Sequence, residues 1–197
     1  LIGLKLAQVR STLSDNQVKD FYNEMLELPA KVEQILETIE PLRELTRKFA
    51  TNDTVLFLGR GIEYPIALEG ALKLKELAYI HAEGFAGGEL KHGPIALIEE
   101  GTVVIAILPT ADEHALDEKM LSNIQEVKAR GARVIVIAPE GAEVIGAEYI
   151  IRIPVASPLF QPVLATVPLQ VFAYEIALAR GTDVDQPRNL AKSVTVE

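Results

Sequence analysis

Apolar positions follow two rhythms along this chain, and the change comes near residue 50. From residue 15 to residue 50, Phe21, Met25, Leu28, Val32, Ile35, Leu36, Ile39 and Leu42 recur at helical spacing behind Ser14 or Asp15 as N-cap. That spacing predicts helix, with Pro29 and Pro41 breaking it into two or three pieces. Beyond residue 50 short, nearly continuous apolar runs take over: TVLFLG at 54–59, TVVIAIL at 102–108, ARVIVIA at 132–138 and, more weakly, YIIRIPV at 149–155. Runs of this kind read as strands buried on both faces. Helical stretches at 63–80, 112–129 and 158–180 separate them. Strand and helix in alternation imply right-handed βαβ units. The expected fold class is α/β, a doubly wound parallel sheet flanked by helices. Residues 1–48 are expected to form an N-terminal helical connector, and 49–197 one domain with a C-terminal tail.

Composition narrows the classes of function. The chain has 197 residues, 49% of them hydrophobic and 24% charged, enough for one full-sized core. Its net charge of −9 and lack of tryptophan argue against nucleic acid, whose phosphates need a basic surface. No apolar run approaches the roughly 18 residues of a membrane span, so no membrane partner is expected. The opening LIGLKLAQVR is interrupted by Lys5, Gln8 and Arg10, unlike a signal peptide, and has no initiator Met. A piece of something longer is therefore expected. The absence of cysteine excludes disulfides, thiolate metal sites and a cysteine nucleophile.

Four stretches carry candidate chemistry. GRGIEY (59–64) follows the first strand, where α/β folds collect ligands. Its glycines would let backbone N–H groups meet a phosphate, but Tyr64 stands where the dinucleotide fingerprint needs a small residue. A tight strand-to-helix turn explains it as well. In ALEGALKLKE (67–76), Glu69, Lys73 and Glu76 fall within an arc of roughly 60° at 100° per residue. Ala67, Ala71, Leu74 and Ala78 fill the far side, and Lys75 lies well away from the three. A narrow charged stripe suits a polar cleft, where burial and the lysine tune each carboxylate. Spacing alone also fits a surface ion pair.

HAEGFAGGELKHGPIALIEEG (81–101) offers a glycine-rich turn leading to Glu89, Lys91 and His92, a possible acid/base group with a histidine that titrates near neutrality. His81, Glu83, Glu89 and His92 fit no standard metal-ligand spacing, and His114 reads as a solvated helix-start residue. The tail GTDVDQPRNLAKSVTVE (181–197) has no helical period and reads as a fraying end or as a strap over a cleft. A strap would bring Lys192 where a lysine forms a Schiff base or binds an anion.

Two blocks, FLGRGIEYPIALEGALKLKELAYIHAEGFAGGELKHGPIALI and TDVDQPRNLAKSVTVE, are similar to the glucosamine-6-phosphate synthase family, the isomerizing glutamine–fructose-6-phosphate aminotransferases. The resemblance runs through nearly the whole chain and covers the second of that family's two sugar isomerase (SIS) domains. It implies the SIS fold, a cytoplasmic homodimer and sugar-phosphate partners, fructose 6-phosphate and glucosamine 6-phosphate. It implies no metal or organic cofactor. By the same resemblance Glu76 is the base that moves a proton between C1 and C2, and Lys73 lies near the reacting carbons. Glu69 is a polar site in the same cleft. His92 is the ring-opening histidine and reaches the neighbouring subunit's site. Lys192 forms a Schiff base with the open-chain ketose, and the carbonyl of Ala191 contacts the sugar.

Two family features are missing from these residues. The glutaminase domain's nucleophilic cysteine has no counterpart, and neither does the Ser/Thr-rich phosphate loop of the first SIS domain. Both are expected on neighbouring domains of a full-length chain. A sugar-phosphate-binding regulatory SIS module and an inert dimerisation fragment are the alternatives.

Overall fold

A computed structural model describes residues 1–110 and 114–190. Helices α1 (Ile2–Val9), α2 (Asp15–Glu37) and α3 (Glu40–Phe49) precede β1 (Thr54–Gly59). Then come α4 (Glu63–Ala78), β2 (His81–Ala86), β3 (Val103–Ile107), α5 (His114–Lys128), β4 (Arg133–Pro139), β5 (Tyr149–Ile153) and α6 (Gln161–Arg180). Among the described residues five strands form one parallel sheet in the order β2-β1-β3-β4-β5.

Strand alternation divides the core in two. Val55, Phe57, Ile105 and Ile135 face α3, α4 and α6, while Leu56, Leu58, Val104 and Val134 face Met120, Ile124 and Val127 of α5. The helices therefore cover both faces, as the alternating pattern implies.

Three expectations are corrected. The stretch at 81–86 read as part of a loop but is an edge strand, paired with β1 from Thr54↔His81 to Gly59↔Ala86. Its small residues let α4 lie close: a Cβ on Gly84 would stand 2.9 Å from the Leu68 amide nitrogen. Pro29 does not break α2, which begins in a Ser14–Gln17 capping box and runs on to Glu37. A proline removes one intrahelical hydrogen bond, and Leu28, Val32 and Ile35 hold the helix to the core on either side. Pro41 sits in the first turn of α3, where a missing N–H costs nothing. Finally, α6 is 20 residues with hydropathy 1.5, long and apolar enough to cross a membrane. Its apolar residues are largely spent on packing, since α4, α3, α2 and the sheet all lie against it, while Val163, Gln170, Tyr174 and Leu178 form an exposed stripe.

Candidate active-site cleft

The charged stripe lies where the packing of α4 leaves it. Ala67, Ala71, Leu74 and Ala78 are buried against the core, and Gly70 lets Phe57 and Leu169 come close. This fixes the rotation of the helix and holds Glu69, Lys73 and Glu76 along its rim. Their side chains are 38%, 28% and 29% exposed, half-buried rather than freely solvated. Lys73 Nζ donates to Glu76 Oε2 at 2.6 Å and lies 3.7 Å from Glu69 Oε1. The Glu76 hydrogen bond, then the charges of Glu76 and Glu69, raise the Lys73 ammonium above its ordinary value of 10.5 against an opposing effect of burial.

The opposite wall comes from the returning chain after α6. Thr182 Oγ1 donates to the Leu77 carbonyl at 2.7 Å. Further on, the Arg188 backbone N–H donates to the Tyr79 hydroxyl at 2.7 Å, and the Arg188 guanidinium lies 4.1 Å from the Tyr79 ring centroid. Between these walls is a cleft of about 520 Å³ lined by Lys75, Glu76, Tyr79, His81, Arg188 and Leu190, among others. Sequence reasoning missed Lys75, Tyr79 and Arg188. Lys75 is off the stripe's arc, and only the returning chain gives Tyr79 and Arg188 a shared surface. Ala191 and Lys192 lie outside the described residues, one and two positions beyond Leu190.

The cleft is not at the end of the sheet where ligands were expected. It opens beside the last turn of α4 and the start of β2, the amino end, because the chain leaving α6 returns there. At the carboxyl end the GRG turn is tightly closed. Glu63 and Tyr64 donate their N–H groups to Arg60 and Gly61 carbonyls at 3.0 and 3.3 Å, and a Cβ on Gly59 would stand 2.2 Å from the Glu63 carbonyl oxygen. Arg60 Nε donates to Asn123 Oδ1 at 3.0 Å. The turn's groups are thus used in shaping the turn.

His92 is held apart from Glu76. It ends a 3₁₀ segment, Gly87–His92, pinned by buried Leu90 on the α5 face of the sheet. Lys91 pairs with Glu126 of α5 at 2.8 Å, which holds the Glu126 carboxylate below its ordinary value of 4.5, while Glu89 and His92 are exposed. α4 covers the other face, and the length of β2, about 17 Å at 3.3 Å per residue, lies between the two residues. The structure brings Glu69, Lys73 and Glu76 together, with Glu76 the one that lines the cleft, and leaves His92 apart from them.

The sheet, the charged stripe and α6 fall within a match to the SIS domain that spans residues 48–180, and the returning chain from Thr182 onward lies beyond it. The chain belongs to the SIS domain family. It is 56% identical over 200 residues to an isomerizing glutamine–fructose-6-phosphate aminotransferase of Streptomyces coelicolor, and 58% identical to one of Mycolicibacterium paratuberculosis. Each match takes in 100% of this chain and 32% of the relative, so the chain spans about a third of the length of these curated relatives. A solved structure, the C-terminal domain of glucosamine-fructose-6-phosphate aminotransferase from Francisella tularensis, is 38% identical with a TM-score of 0.86. That likeness covers 93% of this chain and 51% of the solved one.

Proposed function

We propose that this SIS domain is the second sugar isomerase domain of an isomerizing glutamine–fructose-6-phosphate aminotransferase, and that its cleft is half of the sugar site. Residues 49–197 form that domain and residues 1–48 the helical connector from a first SIS domain; a glutaminase domain in the same full-length chain supplies ammonia. The observation that carries the reading is that Glu76, ion-paired to Lys73 with Glu69 a turn earlier, lines a cleft whose other wall ends at Leu190, two residues before Lys192. The high identity to aminotransferases over the whole chain supports it.

Each group then has a role. The Lys192 amine condenses with the C2 carbonyl of open-chain fructose 6-phosphate, and water leaves. Ammonia displaces the lysine to give the C2 imine. Glu76 removes a proton from C1 and returns one to C2, giving the aldose, glucosamine 6-phosphate. Lys73 holds Glu76 by its short hydrogen bond, and Glu69 orients Lys73 from the preceding turn. The Ala191 carbonyl contacts the sugar, and the setting is the cytoplasm. His92, across the sheet from its own Glu76, opens the sugar ring in the partner's site of a closed symmetric homodimer.

A mixing experiment in the full-length protein tests this arrangement. Lys192→Arg keeps the charge but not the amine nucleophile, and His92→Ala removes the ring-opening group. Each variant alone is expected to lose glucosamine 6-phosphate synthesis. After subunit exchange about a quarter of wild-type activity returns, since half the dimers then hold one intact composite site. Near-normal synthesis by Lys192→Arg, or no recovery on mixing, contradicts the reading.

A further inference from the structure

The segment that carries His92 has little to hold it from within. Gly87–His92 is a 3₁₀ helix of six residues. Runs beyond three or four are uncommon, because the hydrogen bonds of a 3₁₀ helix have poorer geometry than those of an α-helix. His92 is exposed, and among the described residues it has no hydrogen-bond or ion-pair partner, so its place is set by the backbone that carries it. That backbone is tied to α5 at both ends. At the far end Lys91 pairs with Glu126 at 2.8 Å, beside buried Leu90. At the near end Asn123, one turn earlier on α5 and only 3% exposed, accepts from Arg60 Nε at 3.0 Å. Its neighbours on the buried face of α5, Met120, Ile124 and Val127, are all apolar. A buried amide among them costs free energy unless it is hydrogen-bonded, and Arg60 supplies that bond. The pair lies directly over Gly87: a Cβ there would stand 2.7 Å from Asn123 Oδ1 and 3.1 Å from Arg60 Nε. Just past His92, Gly93 at φ 145° turns the chain away.

We propose that Asn123 is a positioning residue: with Arg60 it seats Gly87, and so fixes where the 3₁₀ segment presents His92 for ring opening. The proposal rests on the functional reading above, in which His92 opens the sugar ring. Opening the furanose breaks the C2–O5 bond; O5 takes up a proton, and the C2 hydroxyl gives one up to become the carbonyl. That transfer needs the imidazole within hydrogen-bond reach of the ring oxygen, about 2.6–3.2 Å. Gly87 stands five residues before His92, so a shift at the near end is carried to the imidazole. A misplacement of about 1 Å costs on the order of a hundredfold in a step that depends on such placement. Proton transfer between C1 and C2 is carried by Glu76 on α4, against the opposite face of the sheet, and does not call on this segment.

The test compares two substrates in the full-length protein by deuterium incorporation from heavy water. Fructose 6-phosphate must be opened, whereas 5-deoxyfructose 6-phosphate has no C5 hydroxyl, cannot close the five-membered ring and enters already open. With Asn123→Ala the rate on fructose 6-phosphate falls at least about tenfold, while the rate on the 5-deoxy compound stays within about twofold of wild type. Arg60→Met keeps an apolar stem over Gly87 and loses the Nε donor, so it shows the same split to a smaller degree. That second variant carries the test if the alanine variant melts early. Equal losses on both substrates, or no loss on either, overturn the positioning role and leave Asn123 a packing residue. A His92→Ala variant that slows both substrates alike overturns the functional reading of His92, and the proposal with it.

Discussion

Lys73 stands between two carboxylates, and its distances to them differ by more than 1 Å, 2.6 Å to Glu76 and 3.7 Å to Glu69. The nearer contact dominates the rise in its proton affinity. A raised lysine contributes stability that is present below 10.5 and lost as pH climbs through its folded value. Two carboxylates behave in the opposite sense. Glu126 is held low first by its hydrogen bond from Lys91, and Glu148 first by its hydrogen bonds from Arg133, at 2.8 and 3.1 Å. Their contributions are present above 4.5 and lost as pH falls through the depressed folded values. The melting temperature is therefore expected to drop between about pH 5 and about pH 3, and to drop less in the double variant Glu126→Gln/Glu148→Gln. Differential scanning calorimetry across that range checks this; equal drops in the two proteins would remove these pairs from the account.

At the scale of the element, β2 is where packing overrides propensity. HAEGFA has no β-branched residue, and its edge position depends on α4 lying close over Gly84. An added methyl there meets the Leu68 amide nitrogen at 2.9 Å and the Ala67 carbonyl at 3.0 Å, backbone atoms that cannot swing away. Gly84→Ala is expected to destabilise the chain by about 2 kcal/mol in chemical denaturation. An unchanged midpoint would mean that α4 shifts freely over the edge strand. The same physics sets what could be read from sequence. β1, β3 and β4 are legible because strands buried on both faces must be apolar throughout, as TVLFLG and ARVIVIA are. The stripe was legible because helical spacing alone places Glu69, Lys73 and Glu76 on one arc. β2 was not, since a strand of small residues under a helix looks like a glycine-rich loop. The Tyr79–Arg188 contact was not, since 109 residues separate its partners and neither belongs to a periodic pattern.

For the whole molecule, the order β2-β1-β3-β4-β5 puts the edge strand and α4 at one margin of the domain, and the chain from α6 returns to that margin. The cleft is therefore peripheral, open, and bounded by a chain segment rather than by a second layer of core. Such a cleft suits a site completed by other domains, in keeping with a chain that spans 32% of its relatives' length. The central claim is that Glu76, on this cleft's wall, carries the proton between C1 and C2. The most direct measurement is deuterium incorporation from heavy water at the transferred position, made on Glu76→Gln in the full-length protein. Circular dichroism checks the fold, and calorimetry the binding of fructose 6-phosphate. The account expects binding within about threefold of wild type and incorporation abolished, because glutamine keeps the shape of the side chain and cannot accept the proton. Incorporation at the wild-type level would contradict it and return Glu69, Lys73 and Glu76 to a half-buried ion-pair stripe.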